Sequence, residues 1–435
     1  GAAPKTLKTT YTTLIRPIME YATPVWSHSS STSRERLDKV QAKAAKIMSG
    51  AVSSTNNLRI QEECGLVPLE ERRQMLTVKF ANNAHSLDEG HISHRTIINW
   101  NKKSRLKRSS PLLFDRAIRE KIHLKPEDCL IRNETPAIGV VPENTTICLE
   151  LIEPCSKKDH ANKLKEIGMK TIDSLSGLNH VRAFTDGSSD STFTNGGAGV
   201  VLLLPDDQRR EFATGAGKIA SNFTAELIAI STAIETYINL EPSEQLSGIT
   251  IFSDCRSALQ ALSKGTSSLV LNIIEQLGQL QRLRKDCFLQ WIPAHVNLEF
   301  NEIADSLAKN ARDLNQNSIP TTLADANAYA KSKLFTPLKI KAHDQITNLD
   351  IDRKTATTLI RLRTKHHKNM KISTDKTRKY QNCGNCLNVE LTPYHVFNCP
   401  AVAAGLHLLN YPTEEDLYSF NAIEITKTIQ AHHEI

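Results

Sequence analysis

The chain has 435 residues, 40% of them hydrophobic, which suits about two to four domains with real cores and excludes a disordered protein. Its 54 Lys and Arg against 47 Asp and Glu leave a net charge of +7, so a polyanionic partner has to be argued from where the charge sits rather than from its total. The longest apolar run is about six residues against the roughly 20 that span a bilayer, which argues against a transmembrane segment, a membrane partner or a signal peptide. Nine cysteines, an odd number in a long chain, point to an intracellular chain, in nucleus or cytoplasm, and not to a secreted disulfide framework. A first residue of Gly1 rather than Met suggests a processed product or a fragment.

The first region, residues 1–125, reads as helical and basic. Leu7, Tyr11, Leu14, Ile15 and Ile18 fall at helical spacing, with Pro17 expected to kink that helix. Thr32 and Glu35 form a T-x-x-E capping box for a helix with the apolar face Leu37, Val40, Ala44, Ile47 and Met48, ended by Gly50. Arg36, Lys39, Lys43 and Lys46 run beside that face as a basic stripe, either a solvated surface or a track for a phosphate backbone. A helix over 69–80 precedes a basic patch, Lys102, Lys103, Arg105, Lys107 and Arg108. Residues 126–180 read as a linker with one helix in "KDHANKLKEIGMK".

From 181 the period changes. Strand-like runs at 181–185, 198–204 and 211–218 form a meander, followed by the helix "NFTAELIAISTAIETYI" with Glu226 in its first turns. The strand "GITIFSDC" ends in Asp254 and runs into the helix "RSALQALSKG"; after a helix at 269–283 come the strand "CFLQWIPAH" and the helix "NEIADSLAKNARDL" carrying Asp305. The order defines an α/β layered domain over 181–314, a mixed five-stranded sheet with flanking helices. A basic helical or linker region, 315–380, follows. Its residues 351–380 hold ten Lys or Arg against two Asp, among them Arg361, Arg363, Lys365 and Lys368. The last segment, 381–435, places Cys383, Cys386, His395 and Cys399 in a C-x2-C-x8-H-x3-C array. Three sulfurs and one imidazole match a closed tetrahedral zinc site, serving either as a nucleic-acid grip or as a staple for a small tail.

Asp186 and Asp254 both close strands, and ligands of open α/β sheets bind at the carboxyl ends of strands. If the first and fourth strands adjoin in parallel, the two carboxylates emerge side by side, with Glu226 and Asp305 packed across that edge. Such a cluster cannot stay ionised by itself and demands divalent cations. Oxygen ligands with room for water and phosphate favour magnesium, or manganese in its place. Two ions about 4 Å apart would suit in-line hydrolysis of a phosphodiester.

"FTDGSS", "TAEL", "FSDCRSAL" and "WIPAHVNLEFNEIADSLAK" resemble the ribonuclease H type 1 family over residues 181–314. The resemblance implies a ribonuclease H-like fold and endonucleolytic hydrolysis of the RNA strand of RNA–DNA hybrids. It makes Asp186, Glu226, Asp254 and Asp305 the magnesium ligands and His295 a mobile auxiliary for proton movement or product release. One departure is the loop "VNLEFNE", where Asn297 and Phe300 stand at the glycine positions of many relatives; Asn tolerates left-handed geometry and Phe does not. The ends add to this: "LKTTYTTLIRPIMEYATPVW", "ERLDKVQAKAAKIM" and "GLVPLEERR" resemble the segment after the polymerase core in reverse transcriptases of non-LTR, jockey-like retrotransposons. The tail resembles the zinc knuckle closing those polyproteins. The implied partners are RNA–DNA hybrid, retroelement RNA and the polymerase part of the same element. No aromatic-x-Asp-Asp polymerase signature is present; "LPDDQ" at 204–208 lies between two strands of the sheet domain. The alternative reading is a catalytically inactive, nucleic-acid-binding remnant.

Overall fold

The computed structural model describes residues 1–99, 110–125, 139–156, 159–176, 179–205, 208–240, 246–265, 267–316, 319–375 and 377–435. The predicted basic patch at 102–108 lies outside them. The chain forms two compact units, residues 78–105 with 115–333, and residues 1–77 with 106–114 and 334–435. The sequence boundaries at 125, 180, 314 and 380 do not coincide with these units.

In the first of these units a mixed sheet has six strands rather than the five expected. In chain order they are β1 (Thr145–Cys148), β2 (His180–Ser188), β3 (Thr194–Leu203), β4 (Arg209–Ile219), β5 (Gly248–Ser253) and β6 (Asp286–Trp291), arranged β1-β6-β5-β2-β3-β4. The β2–β3–β4 meander is antiparallel, whereas β5 runs parallel to β2, β6 parallel to β5, and β1 parallel to β6. The additional strand, β1, lies in the segment read as a linker. Five helices of this unit matter below: α1 (Ala161–Ser174), α2 (Asn222–Asn239), α3 (Arg256–Leu262), α4 (Ser268–Arg282) and α5 (Glu299–Ala311).

Strand side chains alternate between two faces, and each face has its own core. Val181, Ala183, Val200, Leu202, Ile249 and Ile251 pack against Leu227, Ile230 and Ile234 of α2 and Ile273 and Leu277 of α4. On the opposite face, Phe184, Val201, Leu203 and Phe252 pack with Ala304 of α5 and with Leu164 and Ile172 of α1. Phe300 falls in the first turn of α5, its ring 5.4 Å from that of Phe184. No left-handed backbone is needed there, whereas Asn297 does adopt it, at φ 58°.

The second unit joins the two ends of the chain. Tyr11, Ala45, Met48 and Ile60 share one hydrophobic core with Leu359, Ile360, Cys383, Cys399, Val402 and Ile425. The N-terminal helices and the Cys/His tail are therefore one folded body, not a separate domain and appendage. Pro17 follows a π-helical turn, Tyr11–Ile15, and sits in the first turn of the helix Arg16–Glu20, where a residue without an N–H is tolerated. The long helix Ser31–Ser49 is capped by Ser30, whose Oγ accepts from Ser33 N, rather than by Thr32. Gly50 ends it at φ 74°, as expected. Its buried face carries Gln41, Ala42, Ala45 and Met48, so Val40 and Ile47 are turned outward. Gln41 draws the helix round: it accepts from Tyr11 Oη at 2.9 Å and donates to Gln61 Oε1 at 2.6 Å.

Candidate active site and metal centre

The register of β2 on β5 sets the site. Thr185 pairs with Ser253, so Asp186 and Asp254, the next residues on parallel neighbours, emerge together. Asp186 does not end its strand, as the sequence reading had it. β2 continues to Ser188 on its other side, paired with β3, and leaves only the β5 edge open. Glu226 arrives from the first turns of α2, which lies directly against the strand: a Cβ on Gly187 would stand 2.2 Å from the Glu226 amide nitrogen. Opposite Asp186 sits Gly199, where a Cβ would stand 2.1 Å from the Ala304 carbonyl oxygen. That close approach lays α5 flat on the sheet and puts Asp305 beside the cluster.

Ligand oxygens of Asp186, Glu226 and Asp254 all lie within 4.8 Å of one another. Asp305 stands outside this tight group and accepts from Lys309 Nζ at 2.5 Å, one helical turn on. Burial, and then the charges of Asp254 and Asp305, push the Asp186 carboxyl up to about 8. Glu226 is raised well above its ordinary value by burial, then by Cys255, Asp186 and Asp254. Asp254 is raised by burial and by Asp305, against the opposing pull of the Asn301 hydrogen bond and of His295. Glu226 Oε2 is buried with no hydrogen-bond partner. Three crowded carboxyls and an orphaned buried oxygen fit a divalent cation bound by hard oxygen ligands.

His295 is exposed on the loop between β6 and α5 at φ 54°, within electrostatic reach of Asp254. The sequence reading missed two residues that hold Asp254. Asn301 Nδ2 donates to Asp254 Oδ2 at 3.2 Å, and Trp291 Nε1 donates to the Asp254 carbonyl at 3.0 Å. Asn301 carried a signal, since it precedes Asp305 by four residues and so shares its helix face.

In the other unit, Cys383, Cys386, His395 and Cys399 bring their ligand atoms within 4.8 Å of one another. The Cys383 and Cys386 sulfurs each lie 3.8 Å from that of Cys399, and His395 Nε2 is buried without a partner. Three thiols and an unpaired imidazole nitrogen fit zinc.

The basic candidates divide. Arg36, Lys39 and Lys43 are exposed along the helix Ser31–Ser49, while Lys46 is half-buried and donates to the Ser53 carbonyl at 2.6 Å. Arg363 is not a surface grip. Its side chain is 1% exposed, pairs with the buried Glu63 at 3.2 Å and lies 4.3 Å from the centre of the Tyr418 ring. A helix face read from charge alone gives no sign of such a buried partner. Arg361 donates to the Ile435 carbonyl, Lys365 pairs with Glu414 and Lys368 with Glu434.

Residues 179–313 match the RNase H family. The match spans β2 to the end of α5, the segment that supplies Asp186, Glu226, Asp254, His295 and Asp305. This is therefore an RNase H-containing protein, and the match supports hydrolysis of RNA–DNA hybrids as the general activity of that segment. No curated protein matches the chain. Among the described residues, no helix is long and apolar enough to cross a membrane.

Proposed function

We propose that the chain is a magnesium-dependent endoribonuclease that cuts the RNA strand of RNA–DNA hybrids during reverse transcription of a retroelement. The observation that carries this reading is the convergence of Asp186, Glu226 and Asp254, with ligand oxygens within 4.8 Å of one another. A pair of magnesium ions, or manganese in their place, would supply water activation and stabilisation of the leaving oxygen. Asp186, Glu226, Asp254 and Asp305 hold those ions from rigid strands and helices. Asn301 and Trp291 fix the rotamer and backbone of Asp254. Glu226 also accepts from a 2′-hydroxyl, the group that separates RNA from DNA. His295, open to solvent beside Asp254, gives or takes the proton that the reacting oxygens exchange.

Arg36, Lys39 and Lys43 contact the phosphate backbone. Cys383, Cys386, His395 and Cys399 would hold a zinc ion that braces the unit presenting those basic residues. The retroelement setting rests on the resemblance of both ends of the chain to such polyproteins, with the polymerase part of the element as partner.

A substrate panel tests the proposal: RNA–DNA hybrid, duplex RNA and duplex DNA, each with magnesium, manganese or chelator. Cutting confined to the hybrid and dependent on the ion is expected. Equal cutting of duplex DNA would point to an integrase-like nuclease. Tight hybrid binding without cutting in either ion would leave a binding remnant.

A further inference from the structure

His295 differs from the carboxylates in riding on a loop, and that loop is held in an uncommon conformation. His295 and Asn297 are exposed with φ 54° and 58°, while Val296 and Leu298 are buried at 7% and 4% exposure. Left-handed backbone is uncommon outside glycine, although His and Asn enter it more readily than other residues, and the surroundings decide whether a loop keeps it. Here the surroundings are hydrophobic: Val296 and Leu298 sit in the cluster of Phe184, Phe252 and Ile292, to which Leu164, Ile172 and Leu175 of the α1 segment contribute.

α1 approaches the loop tightly at Gly168. A Cβ on Gly168 would stand 3.1 and 3.2 Å from Pro293 ring carbons and 3.4 Å from Leu298 Cδ1. Leu164, Gly168 and Ile172 recur every fourth residue, one stripe of the helix facing this loop. On the same buried face α1 is tied by Thr171 Oγ1, which accepts from Ile152 N at 3.2 Å, and Glu150 accepts through its carbonyl from Gln290 Nε2 of β6 at 2.9 Å. α1 and residues 150–152 lie N-terminal to residues 179–313, outside the family match, whereas the loop they touch lies within it.

We propose that α1 is the positioning element of the His295 loop and Gly168 its positioning residue, whose missing side chain sets how closely Pro293 and Leu298 are clamped and so where the imidazole stands beside Asp254. The functional half of this proposal rests on the ribonuclease reading. A displacement of about 1 Å in a reacting group is enough to lower a rate by one to two orders of magnitude, so the helix would act on turnover and not on hybrid affinity.

The test uses the full chain with Gly168→Leu, a good helix former too large for the gap, and Leu164→Ala, which withdraws support beneath the loop. Hydrogen–deuterium exchange over residues 292–300 should rise about tenfold in both variants, with β2 and β5 unchanged. Unchanged exchange over 292–300 would overturn the proposal whether or not the protein cuts hybrid. In hybrid cleavage, Gly168→Leu should lower kcat about tenfold with KM within about twofold, and should add nothing in a His295→Ala background. An equal loss in both backgrounds would show that the helix acts on the fold at large and would likewise overturn it. Absence of cleavage by the unmodified chain would sink the ribonuclease reading alone, because the exchange measurement still decides the loop's anchoring.

Discussion

The backbones of Gly187 and Glu226 approach so closely that a Cβ on Gly187 would stand 2.2 Å from the Glu226 amide nitrogen. The obstacle is backbone rather than a flexible side-chain tip, so Gly187→Ala has to push α2 off the strand. The expected destabilisation is about 1–3 kcal/mol, the usual range for overpacking. Magnesium affinity should fall further than stability does, because Glu226 leaves the ligand group. Calorimetric titration of magnesium against the variant, at a temperature where it stays folded, checks this.

Asp186 supplies a pH dependence with a definite sign. Its carboxyl holds a proton up to about 8 in the folded metal-free protein, against an ordinary value of 3.8. Because the folded state binds that proton more tightly, the stabilisation is complete below about pH 4 and is lost as pH rises towards 8. Asp186→Asn removes this dependence, so its Tm relative to the unmodified protein should climb between pH 5 and pH 8 in chelator. The shift is shared with Asp254 and Glu226, so the difference should be on the order of 2 kcal/mol. Added magnesium should shrink or reverse it. A flat difference across that range would show that neither burial nor the neighbouring charges raise the Asp186 carboxyl.

Arg363 and the stripe Arg36, Lys39 and Lys43 should separate cleanly in mutagenesis. Arg363→Ala leaves the buried Glu63 with Arg59 and Tyr418 as its remaining partners, and removing one member of such a buried charged network costs on the order of 3 kcal/mol. Lys39→Ala and Lys43→Ala should leave stability within about 0.5 kcal/mol. Each should weaken hybrid binding and reduce the salt slope by roughly 0.7–0.9. Thermal unfolding alongside binding measured at several salt concentrations distinguishes the two groups.

Cys383 and Cys399 lie in the same core as Tyr11 and Met48. Removing zinc, or substituting Cys399→Ser, should therefore loosen residues far upstream of the tail. Hydrogen exchange in the helix Ser31–Ser49 is expected to rise together with that of residues 393–429. Exchange confined to the tail would make the Cys/His array a local staple only.

The sheet was legible because its strands alternate cleanly between two buried faces, and because Asp186 and Asp254 follow apolar runs. β1 was not legible: it is four residues long, only its parallel pairing with β6 defines it, and three of its residues are merely half-buried. The ligand spacing of Cys383, Cys386, His395 and Cys399 was readable from local sequence, whereas the union of the tail with the N-terminal helices was not. Contacts such as Arg363 with Glu63 join residues 300 positions apart, and neither carries a local mark of its partner. The face of the helix Ser31–Ser49 was misread because its buried centre includes the polar Gln41, held by Tyr11 and Gln61. Periodicity counts such a residue as exposed.

The most direct test is single-turnover cleavage of a strand-labelled RNA–DNA hybrid in magnesium by the unmodified chain and by Asp254→Asn. Only the RNA strand should be cut, leaving 3′-hydroxyl and 5′-phosphate ends, and Asp254→Asn should lower the rate by about three orders of magnitude, the scale of losing one anionic contact at the reacting centre. Cleavage that survives Asp254→Asn undiminished, or an unmodified chain that binds hybrid tightly and never cuts it, would show that this carboxylate cluster is not a hybrid-cutting centre.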